Sequence, residues 1–94
     1  MNSLGEKLRN LRESNNILLR QVAAYLEMDT ALISKIERGE RRLAREHVIR
    51  LSKFYKVSDE ELLTLWLCDR VLDTVDNDRY ALQGLNKAVN LLKH

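Results

Sequence analysis

Apolar side chains recur at helical spacing along nearly the whole chain. In the first segment Leu4, Leu8 and Leu11 follow Ser3, a capping hydroxyl three residues before Glu6, so a helix is predicted to begin there. The same spacing predicts five more helices, over residues 19–27, 30–38, 45–55, 58–75 and 79–93. The chain has no proline and only three glycines, too little backbone punctuation for hairpins and sandwiches. The fold is therefore predicted to be all-α.

Polar residues and one glycine mark the boundaries between these helices. Asp29 precedes the third helix as a cap, and Ser58 opens the fifth in a second capping box with Glu61. Gly39 follows the third helix, where a left-handed terminus favours a residue without a Cβ atom. The helices are thus expected to be joined by short turns within one domain.

The charge is unevenly distributed, although the net value is only +2. Residues 1–57 carry 12 Lys and Arg against 7 Asp and Glu, whereas residues 58–94 carry 4 against 7. Most of the positive excess lies in one stretch of the chain: Lys35, Arg38, Arg41, Arg42, Arg45, Arg50, Lys53 and Lys56. Such a basic cluster on a small domain is either the binding footprint of a polyanion or a solvated helix surface.

The chain lacks the residues that most catalytic sites need. Cys68 is the single cysteine, and with His47 and His94 it cannot complete a structural zinc site. It lies within an apolar run, where we expect a small buried hydrophobe rather than a nucleophile. The sequence contains no glycine-rich phosphate loop, no export leader and no run of about 18 apolar residues. We therefore predict a cytoplasmic protein without enzyme activity, catalytic residues, metal, cofactor, small-molecule substrate or membrane attachment.

The fifth helix has more apolar side chains than one buried face needs. They lie nearly all round its axis, whereas a surface helix needs an apolar stripe of about 100°. The sixth helix is expected to cover one side, with Gly84 allowing close approach, and the other side to meet the front core or a second copy of the chain. The predicted dimer interface draws on both helices: Leu63, Trp66, Leu67, Val71, Leu82, Leu85 and Val89. A fully intramolecular core is the alternative.

The second and third predicted helices are short and are separated by a tight turn. Two such helices form a helix-turn-helix unit, whose second helix can enter the major groove of DNA. Residues 17–57 resemble the phage-repressor (Cro/Xre) type of helix-turn-helix domain. The likeness is carried by Val22-Ala23, Leu26 and above all residues 33–42, ISKIERGERR. It implies a five-helix, lambda-repressor-like DNA-binding core that acts as a transcriptional regulator, with an added C-terminal helix used in dimerisation.

The resemblance also implies roles for individual residues. Base contacts are expected from the positions that face the groove in that family: Thr30, Ala31, Ser34 and Lys35. Among them Lys35 is the best base reader, because its ammonium group donates to the two acceptors of guanine. Phosphate contacts are expected from side chains on either side of the recognition helix: Arg20, Gln21, Arg38, Arg41 and Arg42. A salt bridge with Glu40 or Glu46 is expected to occupy one of the last three arginines.

Other positions relate to the family pattern in different ways. Glu37 matches a residue that is usually structural. Leu18-Leu19 stand where a serine and a glutamine commonly open the second helix. The usual hydroxyl cap and the usual glutamine contact to the DNA backbone are therefore missing. Glu27 stands at a turn position often held by glycine, where a left-handed residue with a side chain costs about 1–2 kcal/mol, so a slightly rearranged turn is expected. Leu43 replaces a common proline and is expected to pack in the core.

Together these features predict a sequence-specific duplex-DNA binder associated with the nucleoid. Residues 1–57 are expected to form its DNA-binding core, and residues 58–94 to complete that core and provide the dimer interface. A homodimeric repressor or autoregulator implies an inverted-repeat operator with half-sites about 34 Å apart. The resemblance extends to the controller proteins of restriction-modification systems. Two alternatives stay open: an antitoxin that binds a toxin through its last two helices, and a helical interaction module with weak or lost DNA binding.

Overall fold

The computed structural model describes residues 3–94, a range that contains six α-helices and no strand. The helices are α1, Ser3–Ser14; α2, Leu19–Leu26; α3, Thr30–Glu37; α4, Arg45–Tyr55; α5, Asp59–Val75; and α6, Ala81–Leu92. The predicted all-α fold is confirmed, and the predicted helix ends differ from the observed ones by two residues at most. Such differences are within the usual fraying of helix termini.

Helices α1 to α5 surround one apolar core. At its centre lie Val48 and Leu51 of α4 and Leu62 of α5, each with 1% or less of its surface exposed. The other buried apolar side chains pack around them: Leu4, Leu8, Val22, Ala23, Leu26, Ile33, Ile36, Leu43, Tyr55 and Trp66. The expected core position of Leu43 is confirmed. Because each fully buried side chain of this size contributes about 1.5–3 kcal/mol, this cluster holds the five helices together.

Three of the predicted helix boundaries have the expected chemistry. The Asp29 side chain accepts a hydrogen bond from the Ala31 N–H group at 3.4 Å, at the start of α3. Ser58 Oγ accepts from the Glu61 N–H group at 3.1 Å, at the start of α5, which is the serine half of the expected capping box; the Glu61 carboxylate instead pairs with Lys7 Nζ at 2.9 Å. Gly39 follows α3 with φ 80°, a left-handed value that favours glycine. These local signals were sufficient because each acts within three residues of the helix end.

Asp69 of α5 caps the first helix across the core. It is buried, with 1% of its surface exposed. Its Oδ1 accepts from the Ser3 N–H group at 3.0 Å and from the Ser3 hydroxyl at 2.6 Å, while Oδ2 accepts from the Leu4 N–H group at 3.0 Å. Amide groups at a helix start lack helical partners, and the helix dipole favours a carboxylate there. The expected cap of α1 by the Ser3 hydroxyl is wrong, because this hydroxyl donates to Asp69, whose carboxylate is the cap.

The turn between α2 and α3 has a left-handed backbone conformation at a residue other than glycine. Glu27 adopts φ 57° and ψ 45°, and the Met28 N–H group donates to the Ala23 carbonyl at 2.9 Å. The expected rearrangement of the turn is therefore wrong. Leu26 and Met28, on either side, pack against the core, so their burial offsets the strain of about 1–2 kcal/mol at Glu27.

The fifth helix contributes one face to the core and leaves another open. Leu62 and Trp66 are buried, whereas Leu67 and Val71 are 48% and 43% exposed. The Trp66 Nε1–H group donates to the Leu43 carbonyl at 2.7 Å. Trp66 is thus a core residue of the subunit, and its predicted place in a dimer interface is wrong.

The sixth helix does not cover α5 in this subunit. None of its residues is buried. A Cβ atom added at Gly84 would meet no other atom within 4 Å, so the expected close approach of this glycine to α5 is not made here. Cys68 is also exposed, which corrects its expected role as a buried hydrophobe.

Replacing Asp69 by Asn is expected to lower the free energy of unfolding by about 2 kcal/mol, because an amide NH₂ group would face the donors of α1 and leave one without an acceptor. Asp73→Asn makes the same change one turn along α5 at an exposed carboxylate and is expected to cost less. Urea unfolding followed by far-UV circular dichroism measures both. Equal losses in the two variants would contradict the capping role.

Candidate nucleic-acid interface

Helices α2 and α3 form a helix-turn-helix unit at the surface of the core. Ile33 and Ile36 turn one face of α3 inward, since residues three or four apart share a helix face. The opposite face is open to solvent and carries three of the four predicted base-contacting residues: Thr30, Ala31 and Lys35. Ser34, the fourth, is half-buried. The predicted recognition helix is therefore presented outward.

A buried ion pair fixes the far end of α3 against α1. Arg12 donates from Nε to Glu37 Oε2 at 2.9 Å and from Nη2 to Glu37 Oε1 at 3.1 Å. A third donor, Nη1, reaches the Ile17 carbonyl at 3.1 Å. The hydrogen bond to Glu37 raises the pKa of Arg12 above its usual value, so the guanidinium stays charged. This two-point contact resists rotation of the helix, and the structural role implied for Glu37 is confirmed.

Arg38 is held loosely at the end of α3. Its Nη1 donates to Ser34 Oγ at 2.7 Å, and its Nε donates to Glu40 Oε2 at 2.5 Å. The hydrogen bond from Arg38 lowers the pKa of Glu40. Glu40 thus forms an ion pair with one of the three arginines Arg38, Arg41 and Arg42, as expected. Both partners are about half exposed, and exposed pairs are weak and screened by salt, so Arg38 can exchange Glu40 for another anion.

Arg42 is tied to α5 instead. It donates from Nε to Asp73 Oδ2 at 2.8 Å and from Nη2 to Asp73 Oδ1 at 2.9 Å, with Nη1 at 3.9 Å from Asp69 Oδ2. The hydrogen bonds from Arg42 lower the pKa of Asp73 below its usual value. The forked donor of Arg42 is directed at a carboxylate of its own chain, so its expected phosphate contact stays a prediction that requires Arg42 to leave Asp73.

The start of α2 is stabilised by a substitute for the missing hydroxyl. Leu18 provides no side-chain cap, and the Gln21 Oε1 atom accepts from the Leu18 N–H group at 2.7 Å. The NH₂ group of the same amide is a donor suited to a phosphate. Arg20, beside it, and Arg41, in the loop after α3, are exposed. These side chains lie at the two ends of the helix-turn-helix segment.

Two arginines of the basic cluster support aromatic side chains. The Arg50 guanidinium lies 5.2 Å from the centre of the Tyr25 ring, and the Tyr25 hydroxyl donates to the Arg50 carbonyl at 3.0 Å. Arg45 lies 5.8 Å from the centre of the Trp66 ring. Such cation–π contacts stabilise the fold. The basic cluster is therefore partly structural and partly exposed.

Sequence reasoning missed Arg12, Asp69 and Asp73, which fix the helices around this surface. For Asp69 a signal was present: it follows Trp66 by three residues and Leu62 by seven, so it shares their helix face. A charged residue on a buried face signals an internal partner. Arg12 carries a similar signal, because it follows Leu8 by four residues and Leu4 by eight. Neither position identifies its partner, which lies far away in sequence.

The described residues provide no metal centre. Among residues 3–94, no group of three His, Cys, Asp or Glu side chains is placed to hold a metal ion. No helix within this range is both long and apolar enough to span a bilayer.

Residues 3–65 match the family described as "Helix-turn-helix domain", a range that includes α1 to α4 and the start of α5. The chain therefore belongs to the helix-turn-helix family of DNA-binding transcription regulators. This class binds double-stranded DNA and is not enzymatic. The predicted resemblance to helix-turn-helix regulators is thereby confirmed, while the likeness to controller proteins of restriction-modification systems stays a prediction.

Two proteins of Bacillus subtilis (strain 168) are similar to this chain. The HTH-type transcriptional repressor RghR is 38% identical over 64 residues, which cover 67% of this chain and 47% of the relative. The uncharacterized HTH-type transcriptional regulator RghRB is 36% identical over 64 residues, covering 67% and 46%. The chain spans about half the length of these curated relatives. No solved structure matches the chain.

Replacing Glu37 by Gln is expected to lower the free energy of unfolding by about 3 kcal/mol, because it leaves the guanidinium of Arg12 buried without its carboxylate. Glu40→Gln makes the same change at an exposed pair three residues later and is the matched control, with little expected effect on stability. Thermal and urea unfolding compare the two. A Glu37→Gln variant as stable as Glu40→Gln would contradict the anchoring role.

Proposed function

We propose that this protein represses transcription by binding an inverted-repeat operator as a homodimer in the cytoplasm, on the nucleoid. The observation that carries the proposal is the exposed outer face of α3, anchored from behind by Arg12 and Glu37. A recognition helix must be accessible to enter a groove and rigid enough to keep its register. The similarity to RghR, named as a repressor, supports repression rather than activation.

Sequence reading is assigned to the exposed face of α3. The Lys35 ammonium group donates to the acceptors on guanine, and the Ala31 methyl group contacts the methyl group of thymine. Thr30 and Ser34 carry hydroxyl groups that bind either a base edge or a phosphate. Ser34 Oγ accepts a hydrogen bond from Arg38 in the free protein. For Ser34 to contact DNA, Arg38 must therefore turn outward to a phosphate.

Phosphate binding is assigned to Arg20, Gln21, Arg38 and Arg41, without Arg42. Arg20 and Gln21 lie at the start of α2, whereas Arg38 and Arg41 follow α3. Contacts on both sides of a recognition helix fix its orientation but carry no sequence information. Arg42 instead holds the loop that carries Arg41.

A homodimer is supported by the apolar side chains that one subunit leaves uncovered. Helices α5 and α6 follow residues 1–57, which are assigned to DNA binding. The apolar side chains on these two helices that are exposed or half-buried include Leu63, Leu67, Val71, Leu82, Leu85 and Val89. Exposed apolar surface of this extent indicates a partner surface. Two-fold symmetry of the protein implies the same symmetry in the operator.

Selection of bound sites from random duplex DNA is expected to enrich an inverted repeat with half-site centres about 34 Å apart, one turn of DNA. The Lys35→Ala variant is expected to lose preference at one position of each half-site. Lys53→Ala, at an exposed lysine of α4, is the matched control and should enrich the same site as the original chain.

An asymmetric enriched site would contradict the homodimer on an inverted repeat. Equal effects of the two lysine substitutions would contradict the role of Lys35. Failure to enrich any site would contradict sequence-specific binding and would favour an antitoxin or a protein-interaction module.

The salt dependence of DNA binding distinguishes the two neighbouring loop arginines. The logarithm of the DNA-binding constant falls linearly with the logarithm of the salt concentration, and removal of one phosphate contact lowers the magnitude of this slope by about 0.9. Arg41→Ala is therefore expected to reduce the slope by that amount. Arg42→Ala is expected to leave the slope unchanged and to lower the melting temperature, since Arg42 binds Asp73. Fluorescence anisotropy at several salt concentrations measures the slopes. An equal fall in both variants would place Arg42 on the DNA.

A further inference from the structure

Helix α6 extends away from the subunit as an arm. None of its residues is buried, and Leu82 and Leu92 are 68% and 86% exposed. Two consecutive left-handed residues, Asp76 and Asn77, turn the chain at the end of α5. The radius of gyration is 14.8 Å, whereas a compact chain of this length has about 12 Å. Because an isolated helix of 12 residues is only marginally stable in water, this arm needs a surface to pack on.

One face of α6 has the spacing of a helix-packing seam. Leu82, Leu85, Val89 and Leu92 are separated by three, four and three residues, the repeat that keeps side chains on one side of a helix facing a partner helix. Leu91 is exposed too but lies outside this seam. The seam is therefore a specific face and not a general excess of apolar residues.

Helix α5 offers a row of apolar side chains that begins at the edge of the core and turns away from it. Leu63, Leu67, Val71 and Val75 recur at intervals of four; Leu63 packs against the core, whereas Leu67 and Val71 are exposed. The row from Leu63 to Val75 extends about 18 Å along α5, and α6, with 12 residues, has about the same length.

Charge selects α5, rather than another α6, as the surface for the arm. Residues 59–78 carry seven Asp and Glu, of which Glu61, Asp69 and Asp73 meet partners within the subunit. Asp59, Glu60, Asp76 and Asp78 are left against the single Arg70, whereas residues 81–94 carry Lys87 and Lys93 and no acidic residue. Two α6 helices packed together would bring like charges close, which is unfavourable. An α6 helix on α5 brings opposite charges together.

We propose that two copies of the chain exchange their arms, so that the seam of each α6 packs on the α5 row of the other copy. The proposal rests on the homodimer of the proposed function and adds which helices meet. Two-fold symmetry makes the contact twice, which compensates for the short length of each helix. The arm of the same chain meets α5 only at its end, where Val75 lines a cavity with Leu82 and Leu85. Leu67 and Val71 are exposed and are open to the arm of a second copy.

Cross-linking of two single-thiol chains tests the exchange. The original chain has its thiol on α5, at the exposed Cys68. A second chain, Cys68→Ser with Ala88→Cys, has its thiol on α6 beside the seam. A short bismaleimide is applied to an equilibrated mixture in which one chain carries an affinity tag. Unlike chains are expected to be joined at least about threefold more than like chains, since each α6 thiol lies on the partner's α5.

The products separate failure of this inference from failure of the homodimer. Preferential joining of two original chains would indicate an α5–α5 contact, and joining of two Ala88→Cys chains would indicate an α6–α6 contact. Either result, with a dimer in sedimentation, would overturn arm exchange while the homodimer stands. A monomer of 11.0 kDa at all micromolar concentrations would overturn both.

A pair of variants on the arm gives a second measurement. Val89→Asp lies in the seam and is expected to raise the dimer dissociation constant about 100-fold, because it removes a buried contact twice per dimer. Leu91→Asp, the matched control outside the seam, is expected to change it by less than about threefold. Because α6 buries no residue in its own subunit, both variants should retain the thermal unfolding transition of the α1–α5 core, whereas Val89→Asp should lose the helical signal of the released α6. Equal effects on the dissociation constant would overturn the proposed seam.

Discussion

The structure around the recognition helix depends on the buried ion pair between Arg12 and Glu37. A helix of eight residues has little stability of its own, so its orientation is set by what lies behind it. Ile33 and Ile36 hold it by burial, which has no direction. The two hydrogen bonds from Arg12 to Glu37 are directional, and they fix the rotation of the helix. The outer face therefore keeps one set of side chains toward solvent.

Carboxylates decide which arginines of residues 1–57 are left for DNA. Arg12 and Arg42 each meet a carboxylate of their own chain at two points, Arg12 within the fold and Arg42 at the surface. Arg38 meets Glu40 in an exposed pair that a phosphate can displace. Arg41 and Arg20 are exposed at the ends of the segment. Charge counts along the sequence therefore overstate the surface that a polyanion can reach.

The elements of the fold were predictable because their signals are local. Helical spacing gave the positions of all six helices in the described range, and Asp29, Ser58 and Gly39 marked boundaries by contacts within a few residues. The outward face of α3 followed from the positions of Ile33 and Ile36. The family resemblance, in contrast, supplied the assignment of DNA-facing residues, which spacing alone does not give.

What could not be predicted involves partners distant in sequence. Asp69 meets Ser3 across 66 residues, and Asp73 meets Arg42 across 31. Trp66 and Leu67 are adjacent in an apolar run, yet one is buried and the other exposed. The rotation of α5 about its axis separates them, and that rotation is set by the packing of Leu62 and by the hydrogen bonds of Asp69.

Helix α5 connects the proposed dimer contact with the DNA-binding surface. Its core side holds Arg42, in the loop after α3, through Asp73, while its opposite side carries Leu67 and Val71. A helix of 17 residues is about 25 Å long and moves as a rigid rod on this scale. A partner seated on Leu67 and Val71 therefore has a fixed position relative to the loop after α3. The distance between two recognition helices, and with it the half-site spacing, then follows from helix packing and not from a flexible linker.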